Sequence, residues 1–217
     1  MMYLCAQKIK EPMYLNEDLF IDFLNQRDIL WTGINFSKAR FTKQGFEYPQ
    51  EVMHYYMSGW NTSIINNQKK YDIRLSFHKP IMHFDLAQVT KLNKGVKIQQ
   101  LLTDVISHQD ILNEEQVKEY IATLSFNTSI PYALTFLVES FDSITKRASI
   151  WVVISHTATS QVVLAENFLK KPGGFGTSNY WGRTFYDLLY DIKTSAFTRW
   201  RNLVQDRISS MAAEGQK

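Results

Sequence analysis

Residues 170–182 read Lys170-Lys171-Pro172-Gly173-Gly174-Phe175-Gly176-Thr177-Ser178-Asn179-Tyr180-Trp181-Gly182, or KKPGGFGTSNYWG. They set three glycines between a strand pattern and a helix pattern. Before them, 161–169 (QVVLAENFL) is rich in β-branched and apolar residues, as a strand requires. After them Trp181, Phe185, Leu188, Leu189 and Ile192 recur at helical spacing, followed by Phe197, Trp200, Leu203 and Val204. That stripe predicts one long amphipathic helix over 178–210. How the corner is used decides whether this helix only folds back over a sheet or also opens a ligand site.

Two uses fit the residue types. In the structural use, Pro172 ends the strand and Gly173, Gly174 and Gly176 take backbone angles closed to other residues. Thr177 or Ser178 caps the helix, and Phe175 and Trp181, with Asn179 and Tyr180, pack the corner onto the sheet. In the ligand use, loop and helix-start N–H groups of Gly173, Gly174, Gly176, Thr177 and Ser178 cradle a phosphate, with charge added by Lys170 and Lys171. A dinucleotide fingerprint needs a β–α–β unit that continues past the helix, and no strand pattern follows this one in the sequence. The structural use is therefore the expectation.

Working outward, 132–141 (YALTFLVESF), 148–156 (ASIWVVISH) and 161–169 read as three strands joined by turns at 142–147 and 157–160, which predicts consecutive antiparallel pairing. The run 150–154 is apolar without alternation, so both faces of that strand are covered and helices lie on both sides of the sheet. Residues 28–36 (DILWTGINF) and 81–86 (IMHFDL) read as further strands, Gly33 marking a close backbone approach. Residues 37–42 extend the first of these or form a short strand of their own. Helices are predicted over 18–24 after Asn16, over 49–66 after Pro49, and after Asn113. A helix or turn spans 71–78, and 87–109 divides into two short helices broken at 93–95. The fold class is thus α/β (α+β): one mixed, mainly antiparallel twisted sheet of about five strands, helices on both faces, and a long C-terminal helix. With no repeat, low-complexity tract or linker, 7–217 form a single domain, and the tail 211–217 frays.

The 217 residues suffice for a core without staples, since a domain of this size buries roughly 70% of its unfolded surface. A net charge of +3 with interleaved acids and bases excludes a concentrated nucleic-acid face. No apolar window reaches the length of a membrane span. The lone cysteine, Cys5, leaves no disulfide or Cys-rich metal site. Residues 1–6 (MMYLCA) are apolar and end in a small residue, like the remnant of a secretory signal peptide cleaved after Ala6.

Catalytic motifs are absent: there is no G-x-S-x-G, H-E-x-x-H or G-x-x-x-x-G-K-[ST]. His54, His78, His83, His108 and His156 follow no metal-ligand spacing. Asp85, Glu139 and Asp187 have no spacing that brings them together, and solvated or capping roles are expected. No catalytic residue, metal ligand or cofactor is assigned. The turn Asp142-Ser143-Ile144 is a minor candidate for glycan attachment or contact.

The combination of 28–40 (DILWTGINFSKAR), the helix around Trp60, the VES…WVV hairpin and the GGFG–NYW corner resembles a family of uncharacterised exported proteins of Bacteroides-type bacteria. Its most specific part is Gly173-Gly174-Phe175-Gly176 followed by Asn179-Tyr180-Trp181. The resemblance implies a signal peptide and an extracytoplasmic location, periplasmic or secreted; it implies no activity, cofactor or catalytic residue. The family pattern has Asp where this chain has Asn35 and Arg near Ser178. The arrangement is also similar, at fold level, to small α/β modules of bacterial envelope assembly proteins. The functional expectation is a non-enzymatic, envelope-associated interaction module contacting another envelope protein, a glycan or a copy of itself. The alternative is a small-molecule or phosphate-binding protein, enzymatic or not, built on residues 170–178.

Overall fold

The structure, a computed structural model, describes residues 14–46 and 48–214, with side chains to Ser209. The signal-peptide reading of residues 1–6, Cys5 included, lies outside the described residues.

Among the described residues eight strands form the sheet: β1 Tyr14–Leu15, β2 Asp28–Asn35, β3 Arg40–Thr42, β4 Ile81–Phe84, β5 Leu102–Thr103, β6 Tyr132–Asp142, β7 Arg147–His156 and β8 Val162–Lys170. Their order is β1-β8-β7-β6-β2-β4, with β3 beside the far end of β6 and β5 beside β3. The β6-β7-β8 meander and β1 are antiparallel. By contrast β2, β3, β4 and β5 pair in parallel. The sheet is therefore mixed as expected, but larger than the five strands the periodicity marks. β1 and β5 are two residues each, too short to show a period of two.

The helices are α1 Glu17–Asn25, α2 Pro49–Glu51 and α3 Met57–Asn66 joined through a π-turn at Val52–Tyr56, α4 Ile73–Ser76, α5 Ala87–Lys94, α6 Ile98–Leu101, α7 Glu114–Ala122, and α8 Thr177–Asp191 joined to α9 Phe197–Glu214 through a π-turn at Ile192–Ala196. Asn16 caps α1 by accepting from the Leu19 amide at 3.1 Å, and Asn113 caps α7 with Gln116 returning the bond. The region 87–109 holds the two expected short helices.

Alternation along each central strand feeds two cores. Leu134, Phe136, Ile150, Val152, Ile154 and Leu164 face α1, α3, α4, α8 and α9. Leu137, Trp151, Val153 and Ala165 face Val117, Tyr120, Ile121 and Leu124 around α7. Burial on both faces explains the unbroken apolar run in β7. Two carboxylates sit inside this frame. Glu166 accepts from Arg199 Nη2 at 2.7 Å and from Trp200 Nε1 at 2.5 Å, fastening α9 to β8. Glu139 accepts from the Leu112 amide, Ser149 Oγ and Trp151 Nε1 at 2.6–3.0 Å, fastening the approach to α7. A buried carboxylate is stable only with donors of this kind.

β4 covers β2 only from Asp28 to Trp31. Beyond that point two asparagines take the place of a strand. Asn61 of α3 accepts from the Ile34 amide at 2.7 Å and donates to its carbonyl at 3.0 Å. Asn93 of α5 donates to the same carbonyl at 2.9 Å and accepts from the Phe36 amide at 2.8 Å. Gly33 makes room for this: its φ is +114°, and a Cβ there would lie 2.7 Å from Asn61 Oδ1.

Lys79 is buried at the end of α1. Its ammonium donates to the carbonyls of Phe23, Leu24 and Gln26, the last at 2.7 Å, and lies 4.0 Å from the Phe23 ring centre. Burial pulls its pKa from the ordinary 10.5 down to about 8, against the opposing pull of Asp22.

Asn61→Leu and Gly33→Ala are each expected to cost about 2–4 kcal/mol in urea unfolding, the first by orphaning the buried Ile34 N–H and leaving its carbonyl to Asn93 alone, the second by strain and collision. Between pH 8 and 10.5 the native Lys79 is neutral while the unfolded one still binds its proton, so this residue makes stability rise with pH across that window. The rise should be missing from Lys79→Met, which is itself less stable at pH 7 because three carbonyls lose their donor.

Candidate functional site

The corner between β8 and α8 is locked by its own backbone. The Gly173 amide donates to the Tyr180 carbonyl at 3.0 Å, the Tyr180 amide to the Gly176 carbonyl at 2.8 Å, and Asn179 Nδ2 to the Phe175 carbonyl at 3.2 Å. Gly174 at φ +109° and Gly176 at φ +77° bracket Phe175. Only glycine holds such angles at little cost, and the pair turns the intervening side chain outward.

Several expectations for the corner are corrected here. Phe175 does not pack onto the sheet; it is 95% exposed. The helix is capped by neither Thr177 nor Ser178: Gly176 occupies the N-cap position and no side chain accepts from the first turn. Starting from a glycine in the left-handed region, the chain enters the helix with both hydroxyl residues already inside it. Lys170 does not approach the glycine amides. It is buried and ion-paired with Asp191, at the other end of α8. Lys171 is exposed and lines a separate cleft with Thr145, Lys146 and Arg147.

Pro172, Trp181 and Tyr180 are the corner residues that pack. Pro172 is buried. Trp181 is 1% exposed and stacks on Phe141 at 4.6 Å and on Phe46 at 5.7 Å. Phe41 closes the group, 4.6 Å from Phe141 and 4.9 Å from Phe46. Four rings thus pin the start of α8 to β3, β6 and the segment after β3. Offset aromatic contacts of this kind each add about 0.5–1.5 kcal/mol beyond burial. Tyr180 packs partly buried beside them.

In front of the corner lies a cleft of about 380 Å³. Gly173, Gly174, Ser178 and Asn179 form one wall, Trp60, Ser63, Lys70 and Tyr71 the other, and Phe175 and Arg183 stand at its rim. Trp60 Nε1 donates to the Ser178 carbonyl at 2.9 Å and so ties the two walls together. Arg183 is held by Asp187 at 2.8 Å. The cleft therefore combines aromatic edges, two cations and an outward ring on a rigid base. The signal for its second wall was the Asn67–Tyr71 turn after the Trp60 helix, which carries no motif of its own.

The three acids considered for catalysis stay apart. Glu139 is held as described above, Asp85 accepts from the Ala87 amide and Asp187 from Arg183. Asp142 shapes its own turn by accepting from the Ile144 amide at 3.0 Å and from Thr145 Oγ1. Among the described residues no three His, Cys, Asp or Glu side chains come together as a metal site would need, and no helix is long and apolar enough to cross a membrane.

No family model matches the chain, and no curated protein matches it in sequence. Among solved structures, it is similar to lipoprotein GNA1162 from Neisseria meningitidis, with 10% identity over 78% of this chain and 99% of that one, at a TM-score of 0.34. It is also similar to the LpoB C-terminal domain from Salmonella enterica, with 11% identity over 71% and 94% of the two chains, at a TM-score of 0.27. Likeness at this level carries no argument about function.

Since neither hydroxyl caps α8, Thr177→Ala and Ser178→Ala should each leave stability within about 0.5 kcal/mol of the parent. Asn16→Ala, which removes a working cap, should cost about 1 kcal/mol. Paired thermal and urea unfolding of the three variants checks the contrast.

Proposed function

We propose that this protein is an extracytoplasmic, envelope-associated interaction module without catalytic activity, and that its contact surface is centred on Phe175. One observation carries the reading: a large ring, 95% exposed, held on a hydrogen-bonded glycine corner beside a cleft. An aromatic side chain with its backbone already fixed loses little entropy on docking, which is why such residues anchor protein interfaces. Trp60 and Tyr71 back the cleft from within the core, and Lys70 and Arg183 favour a partner with acidic groups around its receiving pocket. The resemblance to exported proteins supports the location. Gly173, Gly174 and Ser178 belong to this surface as its backbone wall, while Lys170 is committed elsewhere.

Phe175→Ala should leave the unfolding midpoint unchanged, because the ring buries almost nothing, yet abolish partner capture. A photo-crosslinking residue at position 175 in the native host should trap a discrete partner, whereas the same residue at Ile144, 52% exposed on the β6–β7 turn, should not. Equal crosslinking at both positions removes the reading. Sedimentation of the purified protein decides whether the trapped partner is a second copy.

A further inference from the structure

A second cleft, of about 760 Å³, lies between the α4–β4 connection and the π-turn of the long C-terminal helix. Asp72, Arg74, Leu75, His78, Lys79, Pro80 and Lys193 line it. We propose that it binds the phosphate group of a phosphorylated organic ligand, through Arg74, His78 and Lys193.

Charge is the first argument. Arg74, His78 and Lys193 are exposed, and among the described residues neither Arg74 nor Lys193 forms an ion pair. The acid in the lining, Asp72, has its carboxylate turned to the Leu75 amide at 3.0 Å as the cap of α4. Lys79 lies beneath with its ammonium spent on the α1 carbonyls, so it adds positive charge from below without offering a donor. Like charges gathered in one concavity repel each other until an anion enters, and they raise the local anion concentration.

Backbone geometry is the second. The Lys79 amide donates to the Arg74 carbonyl at 2.9 Å, the bond that closes a Schellman turn after α4. Its left-handed position is normally glycine, but here it is His78 at φ +52°. The imidazole lies flat on Phe197, 4.5 Å away at 6°, which orients it at the edge of the cleft. Across from it, Lys193 sits within the π-turn Ile192–Ala196, an insertion found often at functional sites. Two unusual backbone features thus place His78 and Lys193.

The ligand class follows from the set. A carboxylate is satisfied by one guanidinium fork, whereas a phosphate group, monoester or diester, accepts from several donors around its oxygens. Leu75, 55% exposed, and Pro80 supply an apolar wall, and the volume exceeds what a bare phosphate fills. An organic substituent is therefore expected beside the phosphate.

Calorimetric titration with phenyl phosphate and with inorganic phosphate tests this, alongside flotation with vesicles of phosphatidylcholine with and without phosphatidylglycerol. Phenyl phosphate should bind, more tightly than inorganic phosphate, and Arg74→Gln/Lys193→Gln should weaken it by about tenfold or more. Lys70→Gln/Arg183→Gln, at the other cleft, should change it less than about twofold. Vesicle binding that needs phosphatidylglycerol and is lost in the first double variant assigns the phosphate to a lipid headgroup; binding of the soluble ester without vesicle binding assigns it to a soluble metabolite. No heat and no thermal stabilisation with any phosphate up to about 10 mM overturns the proposal, as does binding that survives Arg74→Gln/Lys193→Gln.

Discussion

Among the described residues no strand lies on the outer side of Ile34, and most of the architecture follows from how that vacancy is met. Asn61 supplies both a donor and an acceptor to its peptide group, and Asn93 supplies another donor and reaches Phe36. Left without them, a buried strand edge would carry orphan amide groups, each a substantial penalty. The two asparagines come from α3 and α5, so the same four bonds that complete the sheet also dock two helices. Once α3 is docked, Trp60 stands where it meets Ser178, and the corner before α8 acquires its second wall.

From that point the C-terminal helix is held at three places by different means. Stacked rings around Trp181 fix its start, the Lys170–Asp191 pair holds its middle, and Glu166 grips Arg199 and Trp200 further on. With the helix so constrained, the outward turn of Phe175 is not slack in a loop. It is the position left to a side chain between two left-handed glycines whose loop is held by the Gly173–Tyr180 and Gly176–Tyr180 backbone bonds.

Much of this frame is written in residue order. The β6-β7-β8 meander and the final helix show their periods openly, because long elements repeat the pattern several times. Gly33 announces a close approach, though not what approaches. Asparagines inside helices are poor helix formers, and Asn61 and Asn93 could have raised a question on that ground alone. Their partners lie 27 and 57–59 residues away, beyond any local pattern. Lys79 is indistinguishable from a surface lysine until α1 is seen to end on it. At the corner, apolar character argued for burial of Phe175, but backbone handedness overrode it. The basic cleft was equally silent: Arg74 and His78 are more than 110 residues from Lys193, and no spacing rule joins them.

The inserted residue at Ile192–Ala196 has an evolutionary implication. A π-turn is one residue more than regular winding needs, so it sets the angular phase between the two halves of the helix. Winding the same residues as regular α-helix, with none removed, would swing everything downstream by about 100°. Trp200 would then leave Glu166, and the face now turned to the sheet would meet solvent. In homologous sequences a one-residue gap within this pentapeptide should therefore mark a regularly wound helix that keeps the same face toward the sheet.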